Sequence, residues 1–343
     1  MKTERNARKY RGIYFALTIA LFLVMAVSFM CGRYNLRLAA LPRILLHELF
    51  PSIPKTWSKV EAAVVLDFRL PRIIAAVFVG AALSMSGATY QIVFSNPVAS
   101  PDTLGVSSGA AFGAVIGMLS GIGAFAIKIS AFFAGCIGVI LVHVLTYAIG
   151  RDKRNITYLL LTGMIISSVF SGLLSVLKYV ADPDSQLPQI TYWLMGSFSN
   201  VRQPDLGYYL LFFFVGAMPL VLLRWRVNLL ELDYQEAKTM GINVVLLRTT
   251  VIACATLLTA ASTAITGGIS WVGLFIPHIA RALVGSDYRR VLPVSALLGG
   301  IFLLSMDNLA RTISVNELPI SIMTSLIGAP VFFAIIAKRK KAL

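Results

Sequence analysis

Ten apolar runs, at 13–31, 62–88, 105–121, 129–149, 156–177, 206–223, 245–266, 269–284, 291–310 and 319–337, take up most of this chain. A helix that crosses a bilayer needs about 20 mainly apolar residues. Only 13% of the residues are charged, against roughly 25% in soluble domains. No polar stretch is long enough for a separate soluble domain. The pattern predicts an all-α polytopic membrane protein, one transmembrane domain over residues 1–343 with ten crossings.

The formal net charge is +15. In a membrane protein that excess marks cytoplasmic loops and contacts with anionic lipid rather than nucleic acid. If the basic tail at 1–12 is inside, ten crossings put 19 of the 30 Lys and Arg on the same side: 151–154, 224–248, 281–290 and 338–341 join the tail. That is the expected positive-inside bias, and both termini come out cytoplasmic. The run at 13–31 is too long for the core of a signal peptide and lacks a cleavage site, so a retained first helix is expected. Segment 32–61, with Pro42, Pro51, Pro54 and Trp57, predicts an extracytoplasmic loop containing an interfacial helix or part of an oblique second helix. Cys31, Cys136 and Cys254 have neither metal nor disulfide spacing and read as packing residues.

Four segments break the apolar pattern. In the first, Ser95–Gly121, Asn96-Pro97 and Pro101-Asp102 interrupt helix, and glycine then recurs at 105, 109, 113, 117 and 121. Irregular backbone at membrane depth is tolerated only when buried in protein or lining a cavity. The segment therefore sits at the inner interface or borders a pathway, while the glycine stripe predicts close helix packing. The second, Ile265–Arg281, contains Gly267-Gly268 and Pro277-His278, and His278 reads as a structural hydrogen-bonding residue. The third, Asp307–Pro330, places Asp307 near the outer end of a span, where a carboxylate has to be paired or near water. The fourth, Leu230–Ile242, is polar and predicts a short amphipathic helix ended by Gly241. No GxxxxGK[ST] loop, HExxH or nucleophile–base arrangement occurs.

Taken together, Arg69-Leu-Pro-Arg72, Gly80–Gly87, Gln91, Asn96-Pro-Val-Ala-Ser-Pro101, Leu104-Gly105, Trp193–Ser197, Gly273-Leu-Phe-Ile-Pro-His278, Glu317-Leu-Pro319 and Gly328-Ala-Pro330 resemble the FecCD family. These are permeases of ABC importers for iron–siderophore complexes, haem and cobalamin. The resemblance covers residue 60 to the end. It implies a cobalamin-importer-permease-like fold in a bacterial plasma membrane and a dimer, expected to be a homodimer, around a central pathway. It also implies two ATPase subunits inside and a substrate-binding protein outside. ATP and Mg²⁺ would sit on the ATPase, leaving this chain with no cofactor and no enzymatic activity. Ferric siderophore is the expected cargo, with haem or cobalamin next.

By position, the resemblance implies that Arg69, Arg72 and Arg311 dock onto glutamates of the binding protein; the alternative is that they snorkel to lipid headgroups. It makes 225–244 the cytoplasmic coupling loop, carried by Asp233, Tyr234, Gln235, Glu236, Ala237, Lys238 and Gly241. The start of that loop departs from the family, which has a glycine followed by acidic residues where Asp233, Tyr234 and Gln235 stand. Asn96, Pro97, Pro101, Gly105, Pro277 and His278 would lie near the pathway or its gate. The rival class, an ion-coupled secondary transporter, needs titratable groups near mid-membrane, for which His143, Asp307 and Lys178 are the candidates.

Overall fold

The computed structural model describes residues 2–340 apart from 33, 35, 38, 53, 150–155, 233 and 315, and every regular element among them is helical. In chain order these are α1 (Lys2–Met30), α2 (Ala40–Leu49), α3 (Lys59–Ala63), α4 (Leu70–Val93), α5 (Val106–Leu119), α6 (Ala124–Ile149) and α7 (Ile156–Val180). They continue as α8 (Gln186–Leu194), α9 (Gln203–Val227), α10 (Tyr234–Thr239), α11 (Val244–Thr266), α12 (Val272–Val284), α13 (Tyr288–Thr312) and α14 (Ile320–Lys340). Each of the ten apolar runs forms one helix. Six helices among the described residues, α1, α6, α7, α9, α11 and α13, are long and apolar enough to cross a membrane, while α5, α12 and α14 are shorter apolar helices.

The tenth, α4, has 24 residues and is about 36 Å long. It has no charge after Arg72, and every residue from Val79 to Phe94 is buried. A helix apolar on all sides belongs in the core, and α13, α11, α12 and α9 surround this one. Two of these contacts are backbone to backbone. A Cβ on Gly80 would come within 2.2 Å of the Gly299 carbonyl, and one on Gly87 within 1.8 Å of the Gly273 carbonyl. The polar side chains of α4 are satisfied across the same seams: Ser86 Oγ lies 2.7 Å from Thr259 Oγ1, Tyr90 Oη 2.9 Å from Thr256 Oγ1, and Thr89 Oγ1 2.7 Å from Tyr288 Oη. Interhelical hydrogen bonds of this kind contribute roughly 0.6–2 kcal/mol each.

The glycine stripe does several jobs. Gly109 and Gly113 face α6, where a Cβ would meet the carbonyls of Ala134 at 2.8 Å and Ser130 at 2.5 Å. Gly105 lies outside the helix and caps α5 at φ 77°, and Gly121, at φ 66°, turns the chain after it. Within α5 itself, Gly109 and Gly113 make the closest approaches of the stripe.

Segment 32–61 holds both elements that the sequence left open. α2 is a separate short helix. α3, started by a reciprocal Ser58–Glu61 capping box, runs through a π-helical turn at Val64–Arg69 into α4. That turn re-aims Arg69 and Arg72 just before the core begins. The Glu61 carboxyl accepts from the Ser58 backbone N–H at 2.8 Å and pairs with Arg37, which together hold it below the usual carboxylate range.

Candidate functional site

Two clusters of polar side chains lie at opposite ends of α4. At its N-terminal end, Arg72 Nη2 lies 2.8 Å from Asp307 Oδ1, its Nε 3.0 Å from Oδ2, and its Nη1 2.9 Å from Glu317 Oε2. Asp307 is fully buried, and Arg311, one turn along α13, approaches its other face at 3.4 Å. Arg311 also donates to Ser28 Oγ at 2.8 Å and to the Cys31 carbonyl at 3.1 Å. Arg69 donates to the Phe29 and Tyr34 carbonyls. These carbonyls are at or just past the end of α1, where a helix leaves its last C=O groups without partners. The three arginines expected to dock a partner are thus brought together, and they tie α1, α4, α13 and the entry to α14. They are nearly enclosed, with side chains 11% (Arg72) and 6% (Arg311) exposed, and Arg69 is buried. Asp307 is paired, as expected, with two arginines.

The other end of α4 borders a cavity of about 700 Å³. Asn96 and Pro97, in the turn after α4, form one wall, and His278 and Arg281 of α12 face them. The Asn96 side chain accepts from the Val98 N–H at 3.0 Å, which stabilises the turn. A second cavity of about 240 Å³ lies deeper, between Pro101, Asp102, Ser107, Thr259 and the break from Ser270 to Leu274. Of the six residues expected near a pathway, Asn96, Pro97 and His278 share the first cavity and Pro101 lines the second. Gly105 and Pro277 are buried behind them. Among the described residues, two non-glycine residues have positive φ, Ser95 at 47° and Trp271 at 73°, and each lines one cavity. Such strain costs about 1–3 kcal/mol and collects at working sites.

Gln91 sits between the cavities. Pro277 has no N–H, so the Gly273 carbonyl loses its partner within α12. The Gln91 amide compensates, donating to the Leu274 carbonyl at 2.9 Å and reaching that of Gly273 at 3.4 Å. Its oxygen accepts from Arg281 Nη1 at 2.6 Å. Sequence reasoning gave Gln91 no role, although the signal was available: a proline inside a packed helix frees a carbonyl that some neighbour has to satisfy. His278 lies within 3.0 Å of the Leu274 carbonyl through Nδ1, in keeping with its structural reading.

Glu231, from the segment that leads to α10, also lines the first cavity. α10 is the predicted short helix. Ala237 is buried, whereas Gln235, Glu236 and Lys238 are exposed and Tyr234 is half-buried. Gly241 ends it at φ 77°, its N–H donating to the Lys238 carbonyl at 3.0 Å. Asp233 lies outside the described residues. A bracket ties the same segment to α13: Asn228 Nδ2 donates to Asp287 Oδ1 at 2.8 Å, and its Oδ1 accepts from the Tyr288 N–H at 2.8 Å. Partial burial pushes the Asp287 carboxyl up, but hydrogen bonds from Arg289 and Asn228 outweigh it and hold the group below the usual carboxylate range. An exposed helix is thus joined by short, polar-bonded chain to the wall of a cavity in the helix bundle. That arrangement can pass a push from outside the bundle to the cavity.

Comparison with known proteins gives a single answer. The model of the FecCD transport family matches residues 19–338. The chain belongs to this family. It is a permease subunit of a dimeric ABC importer, the transport component rather than the ATPase. Over 340 residues it is 38% identical to the molybdate import system permease MolB of Haemophilus influenzae, covering 97% of each chain. It is 34% identical over 280 residues to the hemin transport system permease HmuU of Yersinia pestis, covering 80% of this chain and 84% of that one. Among solved structures, it matches a metal-chelate type ABC transporter in an inward-facing conformation with TM-score 0.86 at 38% identity, covering 96% of this chain and 99% of that one.

Proposed function

We propose that this permease imports a metal chelate across a bacterial plasma membrane, a ferric siderophore first and haem or cobalamin next. It does so as a homodimer with ten crossings per chain and both termini inside. The observation that carries the mechanism is the link from α10 through Glu231 and the Asn228–Asp287 bracket to the Asn96–His278 cavity. Two ATPase subunits, which hold the ATP and Mg²⁺, press on the exposed face of α10, made by Gln235, Glu236 and Lys238, with Ala237 as its anchor, Tyr234 at its start and Gly241 at its end. ATP-driven closure moves that face. Asn228 carries the motion to α13 and Glu231 carries it to the cavity. Asn96, Pro97, Pro101, Gly105, Pro277 and His278 shape the gate, and Gln91 holds α4 against α12.

The binding protein docks at the opposite end, where Arg69, Arg72 and Arg311 meet. Their side chains are committed to this chain, so they hold the docking face in shape, and a carboxylate of the partner reaches Arg72 by displacing Glu317. Cargo selection lies mainly with the binding protein. The relatives named for hemin and metal chelates support the chelate reading, whereas MolB, which matches along nearly the whole chain, supports an oxyanion.

Converting Gln235, Glu236 and Lys238 together to Ala tests the coupling role. The expected result is a folded permease that no longer co-purifies with its ATPase. Undiminished co-purification would remove α10 from the coupling path. Competition among a ferric chelate, haem, cobalamin and molybdate for uptake separates the cargo readings.

A further inference from the structure

We propose that a groove between α6 and α11 is a binding site for one anionic phospholipid of the surrounding membrane. The groove, about 650 Å³, runs along α6 from Cys136 to Tyr147, with Ala253 and Leu257 of α11 on its other side. A smaller cavity of about 40 Å³ continues from it, shares His143, Tyr147 and Thr249, and adds Arg248. The two form one channel with an apolar stem and a polar, basic mouth.

Its length fits a lipid tail. Cys136 to Tyr147 is eleven residues along a helix, about 16 Å. One leaflet of a hydrocarbon core about 30 Å thick is about 15 Å. The mouth is at the correct depth for a headgroup, because Tyr147 is two residues from the end of α6 and Arg248 four from the start of α11. Neighbouring positions on α6, Phe133, Ile137, Ile140 and Val144, are exposed and apolar, so the groove opens onto lipid. Hydrocarbon fills an apolar furrow there, because an empty one forfeits its dispersion contacts.

Charge selects the headgroup. Arg248 and His143 line the mouth, and no Asp or Glu lines either cavity among the described residues. Basic pockets between membrane helices bind anionic headgroups, and a guanidinium pairs well with phosphate. The mouth is also four residues into the helix that follows α10, so an occupied site would brace α11 beside the coupling segment. The lipid site itself stands whatever the outcome for the coupling proposal.

The test is native mass spectrometry of the assembled transporter, purified in mild detergent and equilibrated with equal phosphatidylglycerol and phosphatidylcholine. The wild type is expected to retain about one phosphatidylglycerol per permease chain, preferred at least tenfold over phosphatidylcholine. Arg248→Gln should remove the preference. Ala253→Phe, at an exposed position, should fill the stem and reduce retention of both lipids. Arg248→Lys, with the charge kept, should bind more phosphatidylglycerol than Arg248→Gln. If Arg248→Gln does not fold, Ala253→Phe decides alone. Equal retention of the two lipids by the wild type, or unchanged retention in Ala253→Phe, would overturn the proposal.

Discussion

Replacing Asp307 with Asn changes one atom type and little volume, yet the structure predicts a large effect. The carboxylate is fully buried and faces two guanidiniums, Arg72 at 2.8 Å and Arg311 at 3.4 Å. Removing its charge leaves Arg72 with Glu317 alone and Arg311 with no carboxylate within 4 Å among the described residues. Breaking a buried pair from one side costs about 3–5 kcal/mol, because the surviving charge stays desolvated. Glu317 is the internal control. Its side chain is 30% exposed, so solvent screens it, and Glu317→Gln should cost about 1 kcal/mol or less. The assay is thermal unfolding of the assembled transporter in detergent, read by the loss of its monodisperse peak on size exclusion. The shift for Asp307→Asn should be at least threefold that for Glu317→Gln, and Asp307→Asn with Arg311→Gln should recover part of it by removing the stranded charge. Wild-type stability in Asp307→Asn, together with loss of an ion requirement in uptake, would refute the pairing argument and make Asp307 a titrating transport group.

Gln91→Leu keeps approximate volume but removes the amide that donates to the Leu274 and Gly273 carbonyls and accepts from Arg281; a destabilisation of about 1–3 kcal/mol is expected, together with ATPase turnover no longer linked to uptake in proteoliposomes. Gly87→Val places a Cβ about 1.8 Å from the Gly273 carbonyl, so α12 has to move off α4; loss of about 1–3 kcal/mol or more and failure to assemble are expected by size exclusion. Asp287→Ala removes the α13 cap and the Asn228 bracket, at a cost of about 0.5–2 kcal/mol. Because the Asp287 carboxyl is held low in the folded chain, its contribution is full above the ordinary carboxylate range and is lost as pH falls through the lowered value, so wild type and Asp287→Ala should converge in acid melting curves.

Much of the bundle was legible because membrane helices leave a direct trace in composition. The ten runs became ten helices, and Gly241 ended α10 as its position demanded. The breaks that line the two cavities were legible because Pro and Asn interrupt an apolar helix, and broken backbone at membrane depth has to be buried in protein or line a cavity. Less visible was whatever depends on a second segment far away in sequence. Arg72 reads the same whether it faces a partner, a headgroup or Asp307, and only the π turn at Val64–Arg69 and the packing of α13 decide. The glycine stripe looked uniform because sequence shows spacing and not helix ends, which removed Gly105 and Gly121 from the packed face. Gln91, Glu231 and the Asn228–Asp287 bracket work through contacts across 40 or more residues, which no local pattern records.

The most direct measurement of the central claim is uptake by proteoliposomes holding the permease dimer with its co-purifying ATPase, supplied with loaded binding protein, with and without ATP inside the coupling compartment. Uptake of the chelate only when ATP, ATPase and binding protein are all present, abolished by the α10 triple-Ala change, is the predicted result. Uptake by the permease alone, driven by an imposed ion gradient and indifferent to ATP, would contradict it.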